Sequence, residues 1–168
     1  MANYKRVFLD GYSYFITIVT HLRQPILLEH IEQLRESFKE SKRYFHYRID
    51  AIVILPDHLH MIITPQNANE YPNIIKAIKY NFTKRYKPDN SIPQSSSRLK
   101  DRMQPVWQKR YYEHTIRDEQ DWNEKMEYIK DNPIKHGLVD IWQDWEYSSF
   151  KAWYWWARKH HPTNFRYY

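Results

Sequence analysis

The sequence predicts an α+β fold in which helices pack against an antiparallel sheet. Segments rich in β-branched and aromatic residues, typical of strands, alternate with segments whose apolar residues recur at helical spacing. Proline, glycine and short polar stretches separate them in the order strand, helix, strand, strand, helix, strand, helix. The length of 168 residues suits one domain with a single core.

The first strand and the first helix are predicted near the N-terminus. Residues 12–20, YSYFITIVT, lie between Gly11 and a turn that ends at Pro25, and they favour a strand. In residues 31–45 the apolar side chains fall near helical spacing, with charged residues between them. This pattern predicts an amphipathic helix over residues 31–45.

A hairpin follows, and it carries two histidines one residue apart. Residues 47–55 favour a second strand, and residues 56–57 form a turn into a third strand that reaches Thr64. Because side chains alternate between the faces of a strand, His58 and His60 lie on one face and can converge on one point. Imidazoles are common ligands of divalent metals, so the pair is a candidate metal site. The alternative is that both histidines belong to the polar face of a half-buried strand.

The second helix is predicted over residues 71–86, where apolar residues recur along one face. Residues 88–105 contain three prolines and a serine run, and they predict a mobile loop. A second row of side chains, basic and aromatic, lies roughly 100° round the second helix from its apolar face. The members of this row are Lys76, Tyr80, Thr83 and Lys87.

The last strand and the last helix complete the pattern. Residues 106–116 favour a strand, and Asp118 is a candidate N-cap for a helix that stops near Asn132 because Pro133 follows. The first six elements spell βαββαβ, the order of a ferredoxin-like sandwich with its helices on one sheet face. The seventh element is an additional C-terminal helix. The opposite face of the sheet is expected to be free for chemistry.

The last helix carries Tyr128 at the edge of its apolar stripe. Trp122, Met126 and Ile129 form the stripe, and Asn132 projects from the same flank as Tyr128, one turn later. The chain has 15 tyrosines, so the alternative is a half-buried tyrosine with no chemical role.

The basic charge is concentrated in one part of the chain. There are 26 Lys and Arg against 20 Asp and Glu, and residues 76–110 alone contain ten basic against two acidic residues. With 15 Tyr, 7 Trp and 7 Phe in the chain, this segment predicts binding of single-stranded nucleic acid by phosphate contact and base stacking. The alternative is a solvated basic loop. The candidate DNA-binding residues are Lys76, Tyr80, Lys84, Arg85, Lys87, Lys109 and Arg110.

Three further observations concern location. The chain has no cysteine, its first residues lack the apolar core of a signal peptide, and no apolar run reaches the roughly 18 residues of a membrane span. These observations predict a cytoplasmic protein without a membrane partner.

Three motifs, LPDHLHMI, WQKRYYEHTIRD and YIKDNPIKHGLV, occur in this order along the chain. Together they resemble the REP-associated tyrosine transposases, a branch of the single-tyrosine HUH transposases related to insertion-sequence enzymes, over residues 12–139. The resemblance implies a ferredoxin-like catalytic domain, residues 1–140, followed by an aromatic-rich basic tail, residues 141–168. It further implies a bacterial enzyme, acting on DNA of the nucleoid, that cuts single-stranded DNA beside a hairpin.

The resemblance also implies roles for individual residues. His58 and His60 match the histidine metal pair, and Tyr128 matches the nucleophile that forms a 5′-phosphotyrosine. Asn132 stands where related insertion-sequence enzymes place a glutamine as third metal ligand, although its side chain is shorter. The cofactor is a divalent metal, Mg²⁺ or Mn²⁺, and the enzyme is a monomer or a homodimer with exchanged tyrosine helices. We expect Tyr128 to approach the sheet face that carries both imidazoles.

Three auxiliary residues and two other functions stay open. Lys125 precedes Tyr128 by nearly one turn and is a candidate for stabilising its phenolate. His114 and His136 are candidates for proton transfer or phosphate contact, with structural roles as the alternative. The chain could instead be a non-catalytic module that binds single-stranded nucleic acid on a ferredoxin-like sheet. A metal-dependent phosphodiesterase that uses activated water is the third reading.

Overall fold

The computed structural model describes residue 8 and residues 10–89 and 91–152 of the chain. Four strands and four helices make up these residues, together with short turns of 3₁₀ helix. In chain order the elements are β1 (Tyr14–Val19), α1 (Ile31–Ser41), β2 (Tyr47–Ile54), β3 (His58–Pro65), α2 (Tyr71–Tyr86), α3 (Ser96–Lys100), β4 (Tyr112–Thr115) and α4 (Glu119–Lys135).

The four strands form one antiparallel sheet in the order β2-β3-β1-β4. This order places β1 and β3 at the centre, as in a ferredoxin-like sandwich, and confirms the predicted α+β fold. α1 and α2 cover one face of the sheet, where Leu34 and Ile78 pack against Ile16 and Met61. Each such side chain that leaves water stabilises the fold by roughly 1.5–3 kcal/mol.

The opposite face, predicted to be free for chemistry, is covered in part by the last helix. α4 lies on it, and Ile129 packs into a second apolar cluster with Phe15, Val53 and Ile62. Trp145, from the segment after α4, is buried in the same cluster. The helix that carries Tyr128 therefore belongs to a layer of its own, on the face that holds the histidines.

α1 ends at Ser41, four residues before the predicted end. The Ser41 hydroxyl donates to the Phe38 carbonyl at 2.8 Å and lies 2.6 Å from the Tyr47 hydroxyl, which joins the helix end to the start of β2. Residues 42–45 form tight turns instead of continuing the helix. Phe45 nevertheless packs against the core, which explains why its spacing resembled that of a helix.

The predicted strand over residues 106–116 is regular only at Tyr112–Thr115. Trp107 lies at the edge of the core, 5.1 Å from the Phe82 ring, and its indole N–H donates to the Lys79 carbonyl. With its side chain in this position, residue 107 does not continue the strand and forms only an isolated bridge with Thr20.

The predicted loop over residues 88–105 contains a short helix, α3, and is not wholly irregular as predicted. The Ser95 hydroxyl accepts from the Arg98 N–H and caps this helix. Arg98 is buried, and its guanidinium donates to the carbonyls of Gln104 and Trp107 at 2.8 and 3.1 Å. An arginine that bonds backbone carbonyls thus orders a segment whose composition favours a loop.

Asp118 caps α4 as predicted, since its carboxylate accepts from the Asp121 N–H at 2.8 Å. The helix does not stop at Asn132, however, but passes Pro133 and ends at Lys135. Gly137 has φ +66°, and the N–H groups of residues 137 and 138 donate to the carbonyls of residues 134 and 133. This is a Schellman motif, and the glycine, which tolerates positive φ, sets the helix end instead of the proline.

The segment after α4 packs against the sheet. The Trp145 indole N–H donates to the Ile54 carbonyl at 3.0 Å, and Ser148 forms a bridge with Val53. The tail tryptophans Trp153, Trp155 and Trp156 lie outside the described residues. The division of the chain at residue 140 remains a prediction. None of the helices in the described ranges has the length and apolarity needed to cross a membrane.

Candidate active site

The sheet register gathers the polar side chains of the α4 face. His60 pairs with Thr17 of β1, and Thr17 pairs in turn with Tyr112 of β4. His58 lies opposite Val19, two residues along β1. Residues that pair across an antiparallel sheet point to the same face, so both imidazoles and Tyr112 lie beside α4.

A cavity of about 480 Å³ opens between this part of the sheet and α4. We call it the histidine cleft. It is lined by Phe15, Thr17, Val19, Arg23, His58, His60, Tyr112, Lys125, Tyr128 and His136.

Both imidazoles use Nδ1 for hydrogen bonds within the protein. His58 Nδ1 lies 2.6 Å from a carboxylate oxygen of Asp57, to which it donates, and His60 Nδ1 lies 2.8 Å from the Thr17 hydroxyl. Bonds of this kind fix the orientation of the rings and leave Nε2 as the second nitrogen. His60 Nε2 is buried, and no group among the described residues forms a hydrogen bond with it.

Asn132 presents a second buried atom of this kind. Its side chain is 1% exposed, and its Oδ1 has no hydrogen-bond partner within the described part of the chain. Asn132 lies one turn after Tyr128 and one turn before His136, and these neighbours contact His60 and His58 with ring centroids 5.0 and 4.9 Å apart. The Asn132 side chain therefore lies on the helix flank that faces the two imidazoles.

The donor set suits a divalent metal ion. Two imidazoles bound to one ion at about 2.0–2.1 Å place their ring centroids roughly 4.5–5 Å apart, and those of His58 and His60 are 4.9 Å apart. A buried carbonyl oxygen without a partner costs about 1–3 kcal/mol, a penalty that a cation at Asn132 Oδ1 would remove. In the described ranges no group of three His, Cys, Asp or Glu side chains is placed to hold a metal, so the candidate set consists of the two imidazoles and the Asn132 amide oxygen.

Burial keeps the imidazoles in the neutral form that binds metals. Burial lowers the pKa of His60 to about 3. It also lowers the pKa of His58, although the hydrogen bond and the charge of Asp57 act in the opposite direction. Burial raises the pKa of Asp57, but the bonds from His58 and Arg23 outweigh it, and the pKa is lowered overall.

Tyr128 lies on the sheet face that carries both imidazoles, as expected from the sequence. Its ring meets those of Phe15 and His60 edge-on at 5.7 and 5.0 Å, and the residue is 37% exposed. Lys135 Nζ lies 4.8 Å from the centre of the Tyr128 ring. A tyrosine that is clamped by two rings, beside a cation and open to a cleft, is suited to act as a positioned nucleophile.

The three auxiliary candidates are placed differently. His136 lines the cleft beside His58. Lys125 also lines it, but its Nζ lies 3.7 Å from Asp121. His114 does not line the cleft, because its Nε2 bonds to the Asp121 carboxylate at 2.7 Å near the start of α4. The position of His114 thus favours the structural alternative.

Sequence reasoning missed three residues of this site. Arg23 lies in the turn predicted before Pro25, and Lys135 lies beyond the predicted end of the last helix. Tyr112, which is 58% exposed, lies two residues before His114 in a predicted strand, so strand alternation would place the two side chains on one face. The strand order needed to bring Tyr112 next to Thr17 could not be read from alternation alone.

The predicted DNA-binding residues do not line the histidine cleft. Arg85 and Lys109 are engaged with Glu40 and Asp101, at 3.8 and 2.6 Å, and Arg110 is exposed. The helix α2 packs on the face of the sheet remote from the histidine cleft. We define the α2 basic face as the exposed residues Lys76, Tyr80 and Lys84 of α2 together with Lys87, which follows the helix end with φ +56° and does not continue the helical row.

Comparison with known proteins gives consistent results. The model of the family described as "Transposase IS200 like" matches residues 9–132. A candidate REP-associated tyrosine transposase of Haemophilus influenzae is 38% identical over 152 residues, which cover 89% of this chain and 86% of that protein. The REP-associated tyrosine transposase of Escherichia coli is 32% identical over 152 residues, which cover 89% of this chain and 83% of that protein.

A solved structure is also similar throughout. It is that of a REP-associated tyrosine transposase bound to a REP hairpin, with a TM-score of 0.79 and 28% sequence identity. The similarity covers 100% of this chain and 93% of that one.

Proposed function

The chain belongs to the IS200-like transposase family, and on this premise we propose that it cuts single-stranded DNA beside a hairpin by forming a bond between Tyr128 and a 5′ phosphate. The family confirms the resemblance that the three sequence motifs carry. The observation that supports the proposed chemistry is the placement of the Tyr128 ring 5.0 Å from that of His60. On the same face, the potential metal-ligand atoms His60 Nε2 and Asn132 Oδ1 are buried and have no hydrogen-bond partner among the described residues.

His58, His60 and Asn132 would hold a divalent cation, Mg²⁺ or Mn²⁺, in this proposal. Bound there, the ion supplies positive charge that neutralises the phosphate oxygens and polarises the phosphorus. The neutral imidazoles and the amide add no charge of their own, so the full charge of the ion is available to the phosphate. Two nitrogen donors are tolerated more readily by Mn²⁺ than by Mg²⁺, which prefers oxygen.

Tyr128 would attack the phosphorus, and the bond to the 3′ oxygen would break. The product is a free 3′-hydroxyl and a 5′-phosphotyrosine, which keeps the energy of the phosphodiester for a later joining step. Lys135 Nζ lies 4.8 Å from the centre of the Tyr128 ring, so a positive charge lies beside the proposed nucleophile.

Charge indicates from which side the DNA arrives. The outer side of α4, next to Tyr128, carries Glu124, Glu127 and Asp131, which repel phosphate groups. The strand would therefore enter by the histidine cleft, where the exposed ring of Tyr112 offers a surface on which a base can stack. A solved relative binds a REP hairpin, and we propose a hairpin as the partner of this chain as well.

The proposal is tested by incubating the protein with a hairpin-bearing oligonucleotide and Mn²⁺ or Mg²⁺. We expect a protein–DNA adduct that survives denaturing electrophoresis and that requires the metal. Cleavage without an adduct would instead indicate a phosphodiesterase that uses water. Binding without cleavage in both metals would favour the non-catalytic module.

The α2 basic face is proposed to contact DNA outside the cleft. Replacing Lys76, Lys84 and Lys87 by glutamine should weaken hairpin binding at low salt. The slope of log K against log salt should fall by about 2–3, because each phosphate contact contributes about 0.7–0.9 to it. Fluorescence anisotropy at several salt concentrations measures this slope.

The neighbouring helix α1 offers a matched control with the same loss of charge. Arg35 and Lys39 on α1, and Arg43 in the turn just after it, are each paired with a glutamate three residues earlier. Their replacement by glutamine should leave the slope nearly unchanged. Equal slopes for the two triple variants would contradict a specific role of the α2 basic face.

A further inference from the structure

The turn after β1 has a backbone conformation that side chains rarely adopt. Leu22 and Arg23 both have φ +52°, in the left-handed region, and neither is a glycine. Such residues cost free energy and persist only where the surrounding structure holds them, which is most often at functional sites. Two in succession call for an explanation.

Hydrogen bonds from both ends of the turn hold it in place. The Thr20 hydroxyl donates to the carbonyls of Gln24 and Asp57, each at 2.9 Å. The Gln24 amide donates to the carbonyls of His21 and Pro105 at 2.8 and 2.9 Å. The turn is thereby fixed to the segment before β3 and to the segment that follows α3.

The result of this conformation is the position of the Arg23 side chain. It lines the histidine cleft and is 60% exposed, and its Nη1 donates to Oδ2 of Asp57 at 3.0 Å. The other oxygen of the same carboxylate accepts from His58. An exposed ion pair contributes little to stability, so the pair with Asp57 does not explain an unfavourable backbone.

The guanidinium has the right chemistry for a phosphate in the cleft. Arginine carries five N–H donors in a planar fork, which can bond a carboxylate with one nitrogen and two phosphate oxygens with others. Lys125 also lines the cleft, but it lies close to Asp121. Asp57 holds Arg23 beside His58 and hence beside the proposed metal site.

We propose that Arg23 bonds the non-bridging oxygens of the phosphate that Tyr128 attacks and stabilises the charge of the transition state. This inference rests on the proposed function. Arg23 is then a catalytic residue, and the left-handed turn is the device that directs it into the cleft.

The test compares two DNA substrates in single-turnover adduct formation. One has a normal scissile phosphate, and the other has a methylphosphonate there, which lacks one negatively charged oxygen. Arg23→Gln should slow adduct formation on the phosphate by about 10²–10³-fold, the loss typical of one transition-state donor. On the methylphosphonate the same variant should lose less than about tenfold, because the charge that the guanidinium neutralises is missing. Arg23→Lys, which keeps the charge but not the fork, should fall between the wild type and Arg23→Gln.

A second measurement separates this role from support of the metal site. Mn²⁺ affinity, measured by the loss of the free-ion electron paramagnetic resonance signal, should be unchanged in Arg23→Gln, and so should hairpin affinity. Arg117→Gln is the matched control, because Arg117 is also an exposed arginine paired with a carboxylate. This control should react at the wild-type rate.

Three outcomes would overturn the inference. If Arg23→Gln reacts at the wild-type rate, Arg23 has no role in the reaction. If it is slowed equally on both substrates and binds Mn²⁺ more weakly, Arg23 only positions Asp57 and His58. If the wild type itself forms no adduct, the proposed function fails and this inference with it, which is a result distinct from the other two.

Discussion

Tyr128→Phe is expected to abolish the covalent protein–DNA adduct and to leave hairpin binding within twofold of the wild type. The change removes one oxygen atom, and without it no ester to phosphorus can form. The ring contacts with Phe15 and His60 remain possible for phenylalanine. Stability should therefore change by less than about 0.5 kcal/mol. Denaturing electrophoresis measures the adduct, and fluorescence anisotropy measures binding.

Tyr112→Phe is the matched control for this experiment. Tyr112 lines the same cleft, is more exposed than Tyr128, and faces the same side of the sheet. Its phenylalanine variant keeps the surface for base stacking and should form the adduct at close to the wild-type rate. Loss of the adduct in Tyr112→Phe with retention in Tyr128→Phe would transfer the role of nucleophile to Tyr112.

The sequence predicts those elements whose boundaries depend on neighbouring residues in the chain. The alternation around His58 and His60 and the turn at residues 56–57 predicted the hairpin of β2 and β3. The Asp118 cap predicted the start of α4, and the order of elements predicted the sheet. These features depend on the chain within a few residues of each position, which is what periodicity and capping report.

The features that the sequence did not reveal depend on distant contacts. The core position of Trp107 shortens β4, and Arg98 bonds to carbonyls up to nine residues away to order α3. Pro133 predicts a helix stop, although the glycine at position 137 ends α4 one turn later. A proline near the C-terminus of a helix forfeits one hydrogen bond, and neighbouring packing can offset that loss.

The layer formed by α4 is the clearest case, because it decides the site. An amphipathic stripe shows that a helix packs somewhere but not on which sheet face, and Ile129 could have joined either apolar cluster. The family resemblance, and not the periodicity, led to the expectation that Tyr128 approaches the imidazoles. Arg23 and Lys135 then became visible only when the turn and the helix end were in place.

His60→Ala is expected to remove metal binding and, with it, nearly all adduct formation. His60 Nε2 is buried and has no partner among the described residues, and loss of a direct ligand should weaken Mn²⁺ binding by at least about 10–100-fold, the range known for the groups that only support ligands. Thermal unfolding provides a readout that does not depend on activity. Mn²⁺ at 100 times its dissociation constant should stabilise the wild type by about 2.7 kcal/mol.

His114→Ala is the matched control for His60→Ala. His114 lies on the same sheet face, but it bonds to Asp121 and does not line the cleft. Its removal should lower the free energy of unfolding measured without Mn²⁺. The increase in this free energy on adding Mn²⁺ should equal that of the wild type. In His60→Ala at the same Mn²⁺ concentration the increase should fall to about 1.4 kcal/mol or less, because the cation has lost a donor atom that only the folded protein provides. Equal increases in all three proteins would mean that His60 does not bind the cation, and the buried nitrogen would then need another ligand.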